Sequence, residues 1–156
     1  MKCVLQWINC EHFRMKTKRR ILIVDDDRSI VLLLRLVLER QGYGILTAFD
    51  GPEGLHTAWE EKPDLVILDI QMPSMDGYEV CLRLHDKPET AKIPVIMLTT
   101  KGRLSGLEGL GAKRILHKRI EERMKGFNVG AIEFLSKPIV AKAVVDAVEK
   151  AFRVAE

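Results

Sequence analysis

The chain has 156 residues, of which 47% are apolar and 30% are charged. This composition fits one globular domain with a buried core and leaves no room for a second full domain. The longest apolar run, residues 30–34, is followed by Arg35 and is far shorter than the roughly 18 to 20 residues of a bilayer span. Residues 4–8 are too short for the apolar part of a secretory signal. We therefore expect a cytoplasmic protein without a membrane span.

The net charge of +3 is unevenly distributed. Residues 1–20 and 101–125 are basic, whereas the remainder is acidic. Because a basic segment is more often a solvated face than a contact surface, we do not expect nucleic-acid binding. The cysteines Cys3, Cys10 and Cys81 lack metal-ligand spacing, and their odd number argues against a disulfide framework. We expect reduced thiols, with Cys81 buried in a helix.

Apolar segments bounded by turn residues alternate with helical patterns along most of the chain. This alternation predicts repeated βα units and an α/β fold with a parallel sheet. We expect strands at residues 21–24, 44–49, 65–68, 95–98 and 132–135, and helices at residues 29–41, 52–61, 77–85 and 140–154. The first, third and fourth strands are nearly continuous apolar runs, which is typical of strands buried on both faces.

Two segments depart from this alternation. Residues 101–130 begin with several glycines and continue with apolar residues at helical spacing, so we expect a helix in their second half. Residues 1–13 show neither period nor helix cap, and Met15 is a candidate natural start. We expect residues 1–17 to be a poorly ordered extension and residues 18–156 to form the domain. A short docking arm is the alternative for the extension.

Polar residues with catalytic potential follow four of the five predicted strands. In an open parallel sheet, residues that follow the strands meet in one crevice at the carboxyl edge. In chain order the residues after the strands are Asp25, Asp26 and Asp27; Asp69; Thr99 and Thr100; and Lys137 with Pro138. Carboxylates held close together repel, and a hard divalent cation relieves the repulsion. Mg²⁺ fits best, because it takes one or two carboxylates and leaves positions for phosphate oxygens.

Such a site suits phosphoryl transfer to a carboxylate. Asp69 is the best candidate for the acceptor because it ends an apolar strand, whereas the adjacent pair Asp25 and Asp26 is better suited to holding metal. Lys137 would pair with a phosphoryl oxygen, and Thr99 would donate a hydrogen bond to another. Each motif alone has a purely structural interpretation.

Those structural interpretations are ordinary. Asp27 or Ser29 would cap the first helix, Lys137 and Pro138 would form a turn, and Thr99 would be a half-buried strand residue. The joint occurrence of these residues at four strand ends favours a functional site.

Four stretches resemble the receiver domain of bacterial response regulators, and the resemblance covers about residues 18–155. They are ILIVDDD at 21–27, LVILDIQMPSMDG at 65–77, PVIMLTT at 94–100 and GAIEFLSKP at 130–138. The resemblance implies a doubly wound, flavodoxin-like fold. Its five-stranded parallel sheet would have the order 2-1-3-4-5 and would be flanked by five helices.

The resemblance also implies roles for individual residues. Asp69 would be the phosphoacceptor, and Lys137 would contact the phosphoryl group. Asp26, Asp69 and the main-chain carbonyl of Gln71 would bind Mg²⁺ directly, and Asp25 would act through water. Further, Thr99 and Phe134 would form a switch pair, and the peptide bond before Pro138 would be cis.

The chain departs from the family pattern in two places. Thr100 replaces a residue that is usually Ala, and its bulk could slow phosphoryl access or alter hydrolysis. The chain also has a basic insertion at about residues 102–118, before or within the fourth helix. We expect this insertion either to bind an acidic partner or to be a solvated extension.

The implied donor is a sensor histidine kinase or a histidine phosphotransfer protein. Few residues follow the last helix, so we expect signalling by contact with an unknown downstream protein. The first helix carries more leucine and valine than one buried face can use, which favours a docking patch or a homodimer contact.

Two alternative functions are weaker. An aspartate-nucleophile hydrolase of the haloacid-dehalogenase kind needs a second acid two residues after the nucleophile, where this chain has Gln71. A receiver-like adaptor independent of phosphorylation conflicts with the complete set of site residues. We therefore expect no enzyme activity beyond the chain's own phosphorylation and dephosphorylation.

Overall fold

The computed structural model describes residues 18–100 and 132–155. The described residues form five strands and four helices, and the strands form one parallel sheet in the order β2-β1-β3-β4-β5. The strands are β1 (Arg20–Val24), β2 (Gly44–Ala48), β3 (Leu65–Asp69), β4 (Val95–Thr100) and β5 (Ile132–Lys137); the helices are α1 (Arg28–Arg40), α2 (Gly51–Glu61), α3 (Gly77–His85) and α4 (Ala141–Val154). The predicted fold class and strand order are confirmed. The extension at residues 1–17, the insertion at 102–118 and the helix predicted before residue 130 lie outside the described residues.

The sheet is covered by helices on both faces, as the apolar runs predicted. On one face, Leu22 and Leu68 lie in a buried cluster with residues of α2 and α3. On the other face, Ile23 and Ile67 pack with residues of α1 and α4. Side chains alternate between the two faces of a strand, so an almost wholly apolar strand supplies both clusters. All five residues of β3 are buried, including Asp69, which places this carboxylate at the end of a rigid central strand.

Three aspartates cap helices at the carboxyl edge of the sheet. The Asp27 carboxylate accepts a hydrogen bond from the Ser29 amide at 2.9 Å and caps α1. Asp50 caps α2 and Asp76 caps α3 in the same way. Side-chain oxygens at this position satisfy amide groups that have no partner within the helix. Of the two capping candidates for α1, the structure selects Asp27 over Ser29.

Gly77 allows the loop after β3 to pack directly on the strand end. A Cβ at this position would overlap the carbonyl oxygen of Asp69 and lie 2.9 Å from the Cα of Ile70. The Gly77 amide also donates a hydrogen bond to the Ile70 carbonyl at 2.9 Å. Because only a residue without a side chain fits there, the first turn of α3 is held against the backbone of Asp69.

The main difference from the predicted elements is that three strands continue into the polar residues. β3 includes Asp69, β4 continues through Thr100, and β5 continues through Lys137. Residues Thr99 and Thr100 still pair with Ser136 and Lys137, because ladder hydrogen bonds come from the backbone whatever the side chain. Asp69, Thr99, Thr100 and Lys137 are therefore positioned by the sheet itself, whereas residues 25–27 follow β1, as predicted.

Two further expectations can be compared with the structure. The Lys137–Pro138 peptide bond is cis, as the resemblance implied. Cys81 is fully buried in α3, as expected. Within the described ranges, no helix combines the length and apolar character needed to cross a membrane.

Candidate functional site

Three carboxylates converge at the carboxyl ends of β1 and β3. Asp25, Asp26 and Asp69 each offer a ligand oxygen, and these oxygens all lie within 4.8 Å of one another. The two strands are hydrogen-bonded neighbours, with Val24 opposite Leu68, so the residues that follow in each chain necessarily approach. Asp25 and Asp69 are buried, whereas Asp26 is exposed. The cluster is therefore buried on the side of Asp25 and Asp69 and exposed to solvent at Asp26.

Lys137 brings a positive charge to the two buried carboxylates. Its Nζ lies 2.8 Å from Oδ2 of Asp25 and 3.0 Å from Oδ1 of Asp69. The other oxygen of Asp25 accepts a hydrogen bond from the Asp27 amide at 2.9 Å. Each Asp25 oxygen thus has a protein donor. Asp69 is held by the same ammonium group that the sequence predicted as a phosphate contact.

The pKa values of Asp25 and Asp69 are both raised, although Lys137 lies beside them. Burial raises the pKa of Asp69 to about 6, repulsion from Asp25 adds to the rise, and Lys137 offsets it only in part. Burial also raises the pKa of Asp25, against the lowering effect of Lys137. Burial acts to lower the pKa of Lys137, but hydrogen bonds to both carboxylates more than compensate and raise it. Further positive charge beside these carboxylates would lower both of their pKa values.

The donor set fits a hard divalent cation. Three carboxylates within one small volume supply the oxygen ligands that Mg²⁺ and Ca²⁺ prefer. Mg²⁺ needs only one or two of them, because it retains several waters and accepts phosphate oxygens. The exposed Asp26 lies on the open side of the cluster, where such waters have room.

Gln71 and Thr100 lie at the exposed rim of this site. The Thr100 hydroxyl donates a hydrogen bond to Oε1 of Gln71 at 2.9 Å. The bond links the loop after β3, two residues beyond Asp69, to the last residue of β4. The sequence drew attention to Thr100 through its bulk, but its partner lies 29 positions away and no pattern in the chain could identify it. The role of the Gln71 carbonyl as a metal ligand stays a prediction.

Thr99 and Phe134 lie on neighbouring strands and on the same face of the sheet. Phe134 pairs with Met97, and Ser136 pairs with Thr99. Because side chains alternate along a strand, Met97 and Thr99 share a face, as do Phe134 and Ser136. Phe134 is half-buried and packs against the cluster beneath α2 and α3. Phe134 therefore lies opposite the residue two positions before Thr99 on the neighbouring strand. The coupled movement of Thr99 and Phe134 stays a prediction.

A cation–aromatic contact near the site escaped the sequence reasoning. The guanidinium of Arg28, in the first turn of α1, lies 4.2 Å from the centre of the Phe49 ring at the end of β2. Arg28 is the first residue of α1 and Phe49 directly follows β2, so both lie at the carboxyl edge of the sheet. The two residues are 21 positions apart, so only the βα geometry brings them together.

Comparison with known proteins identifies relatives of this chain. The family model of the response regulator receiver domain matches residues 21–149. The alkaline phosphatase synthesis transcriptional regulatory protein PhoP of Bacillus subtilis is 44% identical over 118 residues, which cover 73% of this chain and 48% of the relative. The response regulator PleD of Caulobacter vibrioides is 41% identical over 120 residues, covering 77% of this chain and 23% of PleD. The chain thus spans about half the length of these curated relatives, or less.

Solved structures give the same result. A putative response regulator from Chloroflexus aurantiacus superposes with a TM-score of 0.70 at 31% identity, over 87% of this chain and 98% of that one. The chemotaxis protein CheY4 of Vibrio cholerae superposes with a TM-score of 0.69 at 26% identity, over 86% of this chain and 98% of its own. Sequence, fold and site geometry agree, and the chain belongs to the response regulator receiver domain family.

Proposed function

We propose that the chain accepts a phosphoryl group on Asp69, with Mg²⁺, from a sensor histidine kinase or a histidine phosphotransfer protein. One observation carries this proposal. Asp69 is a buried carboxylate beside two other carboxylates and an ammonium group 3.0 Å from its Oδ1. A phosphoryl acceptor needs a fixed nucleophile, positive charge around the phosphoryl oxygens and a place for a cation, and these residues offer each of them.

The transfer is a substitution at phosphorus. A carboxylate oxygen of Asp69 forms a bond to phosphorus as the bond to the donor's imidazole nitrogen breaks. The electron pair of that bond stays on the nitrogen, and a donor ring that already carries a proton on its other nitrogen leaves as neutral imidazole. Lys137 releases part of its contact with Asp69 to meet a phosphoryl oxygen, and the Thr99 hydroxyl donates to another.

The cation would be held by the exposed side of the carboxylate cluster. Asp26, Asp69 and the main-chain carbonyl of Gln71 would bind it directly, and Asp25 would act through water. When bound, Mg²⁺ neutralises charge that develops on the phosphoryl oxygens. Asp25 accepts a hydrogen bond from Lys137 on one oxygen and from the Asp27 amide on the other, which fits an indirect role through water.

We propose no reaction beyond phosphorylation and dephosphorylation of the chain itself. An aspartate-based hydrolase needs a second carboxylic acid to protonate the leaving group, and the residue two positions after Asp69 is Gln71. A carboxamide cannot act as that acid. The phosphoryl group would therefore serve as a signal rather than as the intermediate of a turnover cycle.

The histidine-bearing donor would dock on the chain by direct contact, and α1 offers the apolar area for it. Leu32, Leu33 and Leu36 are 56%, 41% and 52% exposed, respectively. The N-cap residue of α1, Asp27, directly follows the metal-binding candidates Asp25 and Asp26. A phosphohistidine donor that reached Asp69 would lie beside this helix. A homodimer through the same leucines is the alternative, and sedimentation at several concentrations distinguishes the two.

The decisive experiment is labelling with small phosphodonors. The purified chain is incubated with Mg²⁺ and either acetyl phosphate or phosphoramidate. The P–N bond of phosphoramidate resembles that of phosphohistidine. Intact-mass measurement then shows how many phosphoryl groups have been added. We expect the wild type to gain one phosphoryl group, Asp69→Ala to gain none and the exposed-residue control Asp86→Ala to label normally. EDTA should abolish labelling. Failure of the wild type to label, or equal labelling of Asp69→Ala, would overturn the proposal.

A further inference from the structure

The last turn of α3 ends on a buried histidine. His85 is only 7% exposed and lies one turn after the fully buried Cys81, on the same face of the helix. Its Nδ1 lies 2.6 Å from the main-chain oxygen of Cys81 and 3.7 Å from the sulfur atom. Its other ring nitrogen, Nε2, is also buried and has no hydrogen-bond partner within the described part of the chain. Buried polar atoms of a folded protein rarely lack a partner, so this nitrogen calls for a physical explanation.

The contacts of His85 define which ring nitrogen carries the proton in the neutral form. The carbonyl oxygen of Cys81 only accepts hydrogen bonds, so Nδ1 of His85 donates to it and carries the proton. Nε2 is then the unprotonated nitrogen. A second proton would bind there and create a buried N–H group and a buried positive charge, both without a partner. The folded arrangement therefore accommodates the neutral ring and opposes the charged one.

The charged groups around His85 do not reverse this preference. The carboxylate of Asp86 and the position of His85 at the end of a helix both favour the cation, but burial outweighs them and lowers the pKa of His85. Lys87 has its Nζ 3.6 Å from the centre of the Trp59 ring on α2. The part of the sheet that packs beneath α3 contributes apolar side chains. The charged residues of α2 and of the loop after α3 are exposed to solvent, among them Glu53, His56, Glu60, Glu61, Glu89 and Lys92.

We propose that His85 is a proton switch: binding of a second proton by its ring opens the contact between the last turn of α3 and α2, while the rest of the domain stays folded. The charged ring reaches water only by leaving its buried position, which breaks its hydrogen bond to the main chain of Cys81. The first turn of the same helix lies against the backbone of Asp69 through Gly77, so the switch acts on a helix that supports the candidate site. The inference does not depend on phosphorylation of Asp69.

The thiol of Cys81 reports the opening. It is fully buried, and burial raises its pKa to about 12, so it is unreactive while the contact is closed. The open form binds a proton with an ordinary histidine pKa of about 6.5, and the closed form binds it more weakly. Acidification therefore favours the open form. Between pH 7.5 and pH 5 this linkage raises the ratio of open to closed chains by at most about thirty-fold.

The test measures the rate at which 4,4′-dithiodipyridine modifies Cys81 in the folded chain. Substitutions Cys3→Ser and Cys10→Ser leave Cys81 as the only cysteine, and glutathione corrects for the pH dependence of the reagent. We expect the corrected rate to rise several-fold, and at most about thirty-fold, from pH 7.5 to pH 5. His85→Gln and His85→Phe should abolish the rise, because neither side chain binds a proton in this range. His56→Gln, which removes an exposed histidine of α2, is the matched control and should retain it.

Low concentrations of urea separate local opening from unfolding of the whole domain. Local opening exposes little surface, so the modification rate should depend only weakly on urea, whereas global unfolding gives the full dependence. Three results would overturn the switch: a corrected rate that does not change with pH, the same rise in both His85 variants, or a rate that increases with urea as steeply as global unfolding does. The first and third results need only the native histidine, so a misfolded variant does not prevent the test. Failure of the proposed function is distinct, since it is read from phosphoryl labelling of Asp69.

Discussion

Replacement of Asp69 by Asn tests the charge imbalance of the site directly, because it removes one negative charge with little change in shape. In metal-free solution, burial and the charge of Asp25 raise the pKa of Asp69 from its ordinary 3.8 to about 6. A raised carboxyl pKa means that the folded state binds the proton more tightly than the unfolded state does. The ionised group therefore destabilises the fold, and this effect develops as the pH rises from about 4 to about 6 and is constant above.

The size of the effect follows from the shift. Two pKa units correspond to roughly 3 kcal/mol at about 1.4 kcal/mol per unit. Relaxation around Lys137, which still pairs with Asp25 in the variant, makes the gain in the free energy of unfolding smaller than this figure. We expect Asp69→Asn to raise the free energy of unfolding by about 1 to 3 kcal/mol at pH 7.5 in EDTA. The advantage should be small by about pH 4 and should vanish below about pH 3, where Asp69 is protonated in both the folded and the unfolded state.

The assay is urea unfolding followed by far-ultraviolet circular dichroism between pH 4 and pH 8. Glu60→Gln serves as the matched control, because it removes one negative charge from an exposed position on α2; we expect a change within about 0.5 kcal/mol. Added Mg²⁺ should stabilise the wild type more than Asp69→Asn and so reduce the difference between their free energies of unfolding. An Asp69→Asn variant less stable than wild type at pH 7.5 in EDTA, or an advantage independent of pH, would refute the electrostatic reasoning.

Three further predictions concern residues around the sheet. Gly77→Ala should lower the free energy of unfolding by about 2 to 4 kcal/mol and slow phosphorylation, because its Cβ would overlap the backbone of Asp69; urea unfolding and labelling rates check this. The pKa of His85 is lowered, chiefly by burial, so the unfolded state gains the proton first and wild-type stability should fall as the pH drops below about 6.5. In urea unfolding, the free energy of unfolding of His85→Phe should fall less steeply with decreasing pH than that of the wild type. An equally steep fall would count against a role of His85 in this pH dependence. Leu34→Ala should cost about 2 to 5 kcal/mol in urea unfolding because Leu34 is fully buried, whereas Leu32→Ala, on the exposed side of α1, should stay within about 0.5 kcal/mol.

The fold was largely predictable because burial on two faces leaves a clear trace in the sequence. The strands at residues 65–69 and 95–98 have no polar residue before their ends, and a strand of this kind requires helices on both sides. The order of the strands came from the resemblance and not from the apolar pattern. The strand ends were misplaced by one or two residues, because backbone pairing continues past the last apolar side chain into Asp69, Thr100 and Lys137.

The convergence of the site residues was predictable for a geometric reason, since all parallel strands end at one edge. Their individual environments were not. Asp25 and Asp26 are adjacent and chemically identical, yet one is fully buried and bonded to Lys137 and the other is exposed. That distinction depends on the direction of each side chain at the end of β1. A partner more than a hundred positions away holds Asp25, and no local pattern encodes such a pair.

The charge imbalance of the site gives a physical reason why its stability would depend on the proposed ligands. Asp25 and Asp69 share one ammonium group, so the folded chain holds more buried negative charge than Lys137 can neutralise. A divalent cation relieves this repulsion, and the free energy gained adds to its affinity. A phosphoryl group on Asp69 would bring new negative charge, which a site without the cation would oppose. Lys137→Ala should therefore make stability depend more strongly on Mg²⁺, as measured by urea unfolding with and without the cation. A smaller Mg²⁺ dependence than that of the wild type would mean that the ammonium and the cation do not substitute for each other.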